Sequence, residues 1–307
     1  LYSVDAGIMF NNNIGYIKIN RFAATTYEEM MEKAISLKEE GMRNLILDLR
    51  GNPGGYLHIA NQICDEFLTE GELIVFTEGR NRMKSEIFAT KNGSLENINI
   101  ITLINEGSAS ASEIVSGALQ DNDRGLVIGR RSFGKGLVQE QISLNDGSAI
   151  RLTTQRYYTP SGRCIQKDYT KNPKDYFLEQ YDRGNHPTHH IDSLKHTTKN
   201  GRIVYGGWGI TPDIIIKRDT NTNYLPINKI VRKGWINEFC FEKSEFLKLQ
   251  NISNYQQINV NDIYLNFIEY LRKKDKKFNL ELGVTELKYL KNLLLATISK
   301  NMWGTDI

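Results

Sequence analysis

Asn44-Leu45-Ile46-Leu47-Asp48-Leu49, followed by Arg50 and the turn Gly51-Asn52-Pro53-Gly54-Gly55, decides the fold class. The apolar run is too short for a helix and is closed by Gly and Pro, so it reads as a buried strand that ends abruptly. Upstream, Ile14 to Ile19 alternates as a strand does, and Thr26-Tyr27-Glu28-Glu29 has the form of a capping box. The helix it opens is expected to run through Met30, Ala34 and Leu37 to Gly41. Downstream, Ile59, Ala60, Ile63, Cys64 and Phe67 make the apolar face of a helix from Leu57 to Leu68.

The same order recurs. Strands are expected at Leu73–Phe76 and Asn99–Ile104, then a helix at Ser112–Gln120 and a strand at Gly125–Ile128. Strands alternating with helices predict an α/β core. A hairpin follows, Leu137–Leu144 with Ser148–Tyr158, turning at Asn145-Asp146-Gly147. Residues 167–200 lose all periodicity and read as an excursion loop, with strand-like pieces returning at Arg202–Tyr205 and Asp213–Lys217. Three helical segments, Leu225–Glu242, Val260–Lys274 and Thr285–Met302, then predict a small helical C-terminal domain or extension over residues 221–307, after a core over residues 1–220.

Composition excludes several classes. Of 307 residues, 40% are hydrophobic, enough to bury a sizeable core. Lys and Arg number 39 against 36 Asp and Glu, and no basic stripe interleaved with aromatics signals nucleic acid. Cys64, Cys164 and Cys240 form no CxxC pattern, and no apolar run reaches membrane-spanning length. No signal peptide is visible.

The chemistry concentrates in turns after strands, where α/β proteins bind and react. Gly129 to Lys135 satisfies GxxxxGK, but Gly136 stands where a phosphate loop needs Ser or Thr, and a strand follows where it needs a helix. Ser132-Phe133-Gly134-Lys135 is formally SxxK, yet its flanking glycines oppose the helical turn that motif uses, and SDN and KTG are absent. A lysine whose charge is removed by burial can act as a general base and activate a serine. The run Gly107-Ser108-Ala109-Ser110-Ala111-Ser112-Glu113 offers serines at a helix start, although Ser110 and Glu113 also form a capping box. Spacing alone does not choose between the two roles. His58, His186, His189, His190 and His196 form no diagnostic metal pattern.

Together, Ile14–Ile17, Leu47–Gly55, Asn105–Glu113, Arg130–Gln139, Tyr157–Gly162 and Gly209–Asp213 resemble, in order, the motifs of the carboxyl-terminal processing (tail-specific) proteases, S41-type serine peptidases. The resemblance implies a crotonase-like or ClpP-like α/β core with twisted sheets. It implies Ser110 as nucleophile, Lys135 as base and Gln139 as the residue that orients the lysine. It also implies an oxyanion hole of main-chain N–H groups, Ala111 with either Gly54 or Gly55. Lys135 and Gln139 lie four apart, so on an extended strand they face one way. The implied enzyme uses no cofactor, acts on proteins or peptides near C-termini or in unfolded segments, and belongs to the bacterial periplasm or envelope. Homo-oligomer formation is compatible with it. Family members usually carry a PDZ domain ahead of the core, and no such domain is read in this chain. The competing expectation is a non-catalytic peptide-binding or assembly module on the same scaffold.

Overall fold

The computed structural model describes residues 2–10, 13–168, 172, 174, 176–177, 192–219, 221–276 and 280–304. It is a mixed α/β structure, and the chain divides into two compact units, Leu1–Lys217 and Arg218–Ile307.

In the first unit, six strands form one sheet in the order β1 (Val4–Phe10), β2 (Ile14–Ile19), β3 (Asn44–Asp48), β6 (Asn99–Ile104), β7 (Gly125–Gly129) and β12 (Ile214–Ile215). Only the β1–β2 pair is antiparallel. Helices α1 (Thr26–Glu39), α2 (Leu57–Asp65) and α3 (Ala111–Asp121) connect them. Because β3, β6 and β7 are parallel neighbours, in register at Asp48 with Leu103 and Ile104 with Gly129, the chain leaves all three at the same end. The Gly-rich turn, the serine run and the Lys135 segment therefore emerge side by side. Helix α3 is buried along its whole length. Ile114, Val115, Ala118 and Leu119 of α3 join Leu45, Leu47, Ile59 and Ile63 in one core cluster. Each of the Leu, Ile and Val side chains contributes about 1.5–3 kcal/mol when fully buried.

A second, antiparallel sheet has the order β5 (Arg82–Phe88), β4 (Leu73–Gly79), β9 (Ala149–Tyr158), β8 (Leu137–Ser143). The β8–β9 hairpin turns with Gly147 at φ 84°, the left-handed value that Asp-Gly turns use. A short pair, β10 (Lys195–Thr197) with β11 (Ile203–Tyr205), lies partly in the stretch expected to be loop.

The second unit consists of α4 (Leu225–Arg232), α5 (Trp235–Lys248), α6 (Val260–Lys274) and α7 (Val284–Trp303) around its own core, which includes Ile230, Phe239, Phe267, Leu290 and Leu294. One helix was expected over residues 225–242. The structure breaks it at Gly234, whose φ of 73° is left-handed and ends α4.

Besides β10, two strands escaped the sequence pattern. In β1, Val4, Ala6, Ile8 and Phe10 alternate with Asp5, Gly7 and Met9 but only Val4 is fully buried, and β5 is exposed at six of its seven positions, so no apolar periodicity marks it. The capping box at Thr26 also differs. Thr25 precedes α1, and Glu29 accepts from the Ser3 and Val4 N–H groups, tying the helix to β1. None of the described helices is long and apolar enough to cross a membrane.

Candidate active site

The three serines of the run separate cleanly. Ser108 is buried, and its hydroxyl donates to the Leu49 carbonyl at 2.8 Å while accepting from Asn105 N–H at 2.9 Å. Buried Ser112 donates to the Asn52 carbonyl at 3.0 Å. Both hydroxyls thus fasten the serine run to the turn after β3. Ser110 is only half-buried and lines a cleft of about 630 Å³.

Residue Ser110 sits where the chain passes into α3, at φ 56° and ψ −114°. That conformation is strained for a residue with a Cβ, and the surroundings must hold it. The cleft's walls also include Lys135, Gln139, Ala111, Gly54, Gly55 and Tyr157, so every site residue read from the sequence is brought to one place. No hydrogen bond links the side chains of Ser110, Lys135 and Gln139, and no carboxylate pairs with Lys135 among the described residues. Catalytic hydrogen bonds commonly tighten only when substrate is bound.

Lys135 and Gln139 do not share one unbroken strand. Lys135 lies ahead of β8, between Gly134 at φ 92° and Gly136, and the β8–β9 register shifts between Val138 and Gln139. Turn and bulge together, not an unbroken strand, bring the two residues to the cleft.

The two glycines are not equivalent. Gly54 N–H donates to Asn52 Oδ1 at 2.9 Å. The N–H groups of Gly55 and Ala111 make no hydrogen bond among the described residues. Gly54 is needed for its lack of a side chain: a Cβ there would stand 2.6 Å from the Ala109 carbonyl and 2.7 Å from Ser110 Cβ. Ala111 also heads α3, where the helix dipole favours negative charge.

Glu113 does far more than cap a helix. Its fully buried carboxylate accepts from Ser110 N–H at 2.8 Å and Lys135 N–H at 2.9 Å on one oxygen. The other oxygen accepts from Ser132 Oγ at 2.5 Å and Gly134 N–H at 2.7 Å. Burial pushes this carboxyl above its ordinary range, against the opposing pull of those hydrogen bonds. The local half of the pattern was visible as S-x-x-E; the half that reaches the lysine segment carries no sequence signal.

A second network stands at the foot of the Gly-rich turn. Asp48 is buried at the end of β3 and accepts from Tyr16 Oη at 2.7 Å, from Arg50 N–H at 2.9 Å and from the Arg50 guanidinium at 2.7 and 2.9 Å. Burial alone would raise its pKa, but Arg50, Tyr16 and the charge of Lys18 together hold it below the ordinary carboxylate value. A depressed folded pKa contributes stability that is present above the unfolded value, about 3.9, and lost as pH falls through the folded one. Asp48→Asn is therefore expected to lower stability at pH 7 by about 2–4 kcal/mol. It should also flatten the decline of stability below pH 4, measured by urea unfolding across pH. An undiminished acid slope would show that Asp48 is not its source.

His186, His189 and His190 lie outside the described residues, and no group of potential metal ligands occurs among the described ones.

Residues 13–173 match the model of peptidase family S41. The chain is 46% identical over 159 residues to a carboxy-terminal-processing protease of Bartonella bacilliformis, covering 50% of this chain and 36% of that one. It is 38% identical over 157 residues to the carboxy-terminal processing protease CtpB of Bacillus subtilis, covering 51% and 32%. Among solved structures, the photosystem II D1 C-terminal processing protease superposes with a TM-score of 0.50 at 26% identity, covering 66% of this chain and 42% of that one. The match thus spans about a third of the curated relatives' length. A family model that covers half of the chain, reinforced by these relatives, establishes that the chain belongs to peptidase family S41.

Proposed function

We propose that residues 1–220 form the catalytic core of a serine endopeptidase, crotonase-like in fold, that cleaves protein substrates near their C-termini or in unfolded segments through a Ser110–Lys135 dyad. The observation that carries this reading is the division of labour among the serines: Ser108 and Ser112 are spent on fastening the turn, and Ser110 alone of the three lines the cleft with Lys135 and Gln139. Residues 221–307 make a separate helical domain. The bacterial envelope is the expected location, as the family resemblance implies.

The steps follow from the groups in the cleft. Uncharged Lys135 takes the Ser110 hydroxyl proton as Oγ attacks the scissile carbonyl. The N–H groups of Ala111 and Gly55 receive the oxyanion, since that of Gly54 is already engaged with Asn52. Collapse expels the amine, which takes the proton back from Lys135, and leaves an acyl-enzyme on Ser110. Water, deprotonated by Lys135, attacks the acyl carbonyl; the Ser110 Oγ–carbon bond then breaks, Oγ takes the proton back from Lys135, and the new C-terminus departs. Gln139 orients the lysine. Phe22, Leu57, Ile114, Leu137 and Val138 line the same cleft and suit an apolar substrate side chain.

Cleavage of an unfolded protein such as casein tests the reading. Cleavage by the wild type is expected to be lost in a Lys135→Arg variant, because a guanidinium stays charged and cannot take the Ser110 proton. A Lys135→Arg protein that cleaves at the wild-type rate would rule out a lysine base.

A further inference from the structure

Tyr157, near the end of β9, lines the cleft, and the mechanism above leaves it without a task. Its ring is buried, 1% exposed, and its main-chain N–H donates to the Gly136 carbonyl at 3.0 Å. The phenol hydroxyl lies 2.6 Å from the Lys135 carbonyl oxygen and 3.1 Å from the Ser110 carbonyl oxygen. A phenol has one proton to donate, so the two carbonyls share it in a three-centre bond, with Lys135 holding the nearer share.

These are the main chains of the proposed nucleophile and the proposed base. Glu113 already grips the N–H groups of the same two residues. Ser110 and Lys135 are thus tied together twice, through their N–H groups by a carboxylate and through their carbonyls by a phenol. The two clips come from different elements, Glu113 from α3 and Tyr157 from β9. The Ser110 carbonyl also accepts from the Glu113 and Ile114 N–H groups at 2.8 and 3.0 Å, so Tyr157 links the Lys135 carbonyl to a residue that α3 already holds at its strained φ of 56°.

We infer that Tyr157 is a positioning residue: its hydroxyl ties the carbonyl of Lys135 to the helix-held carbonyl of Ser110, and thereby sets the separation and orientation of their side chains. The inference rests on the Ser110–Lys135 reading. Tyr157 touches no reacting atom in this role and transfers no proton. Burial first, and then the charge of Glu113, pushes the phenol pKa well above its ordinary value, so the hydroxyl stays protonated and remains a donor across the working range.

Tyr157→Phe removes the hydroxyl and keeps the ring. The expected result is a fall of about 10- to 100-fold in kcat for peptide cleavage, the size of effect that a small misalignment of reacting groups produces. KM should stay within about 2-fold, because the ring still fills the same wall. The rate at which a serine-reactive phosphonate labels Ser110 should fall in parallel. A Tyr157→Phe enzyme with wild-type kcat and wild-type labelling rate, made beside a wild type that labels at Ser110, would overturn the role of Tyr157 and leave the dyad standing. A wild type that never labels at Ser110 would overturn both. Should Tyr157→Phe fail to fold, 3,5-difluorotyrosine placed at position 157 alone retains ring and hydroxyl while changing donor strength. A labelling rate changed by about 2-fold or more supports the clamp, and an unchanged rate overturns it.

Discussion

Ser110→Ala and Lys135→Ala are each expected to lower casein cleavage by about a thousandfold or more while leaving the folded structure intact, since removal of one member of a nucleophile–base pair disables the pair as a unit. The alanine at 110 deletes only the hydroxyl that faces the cleft. The hydroxyls that fasten the turn belong to Ser108 and Ser112, and the Ser110 N–H bond to Glu113 is made by the main chain, so it survives the substitution. Lys135 is likewise held through its main chain, by Glu113 at N–H and Tyr157 at the carbonyl, and its side chain supports no ion pair among the described residues. Thermal unfolding should therefore stay within a few degrees of wild type. The combined variant should be little worse than either alone. Substantial activity in either single variant would remove that residue from the mechanism.

Glu113→Ala should have the largest effect on stability. It leaves Ser110 N–H, Lys135 N–H, Gly134 N–H and the Ser132 hydroxyl without their buried acceptor. An unsatisfied buried donor costs about 1–3 kcal/mol, and the combined loss should be about 3–5 kcal/mol, as when one partner of a buried charged network is deleted. Activity should fall with it, since the turn of Ser110 and the segment of Lys135 lose the group that holds them together. Glu113→Gln discriminates between shape and charge. The amide oxygen can serve one pair of donors, but the NH2 group then faces the other pair, so the loss of stability should be intermediate. Chemical denaturation of the three proteins measures the order. A glutamine variant as stable as wild type would show that the second oxygen is not needed as an acceptor.

The α/β core was legible because its buried strands and amphipathic helices obey simple periods, as at Leu45 to Leu49 and Ile59 to Phe67. It failed where burial and period part company. Strand β5, with Arg82, Lys84 and Glu86 on an exposed ribbon, carries no apolar signal, yet its pairing with β4 makes it a strand. The helical segment after Tyr224 has one continuous apolar pattern, and only the left-handed Gly234 divides it.

The site was legible in its residue types and not in its wiring. Ser110, Lys135 and Gln139 stand in motifs that can be matched by eye. Nothing in the spacing says that Ser108 and Ser112 are occupied, that Asn52 takes the N–H of Gly54, or that Glu113 spans to Ser132 and Gly134. Apart from the local Asn52–Gly54 bond, these are contacts between segments distant in sequence, fixed only when β3, β6 and β7 align their ends. Glu113 shows the limit well. S-x-x-E is a sound local reading, and the local reading hides the long-range one.

The most direct measurement is to treat the wild-type protein and its Lys135→Ala variant with a serine-reactive phosphonate and locate the adduct by mass spectrometry of the digested protein. A single adduct on Ser110 in the wild type, formed far more slowly in the variant, is the predicted result. Labelling at another serine, or labelling of Ser110 at the same rate without Lys135, would contradict a Ser110–Lys135 dyad.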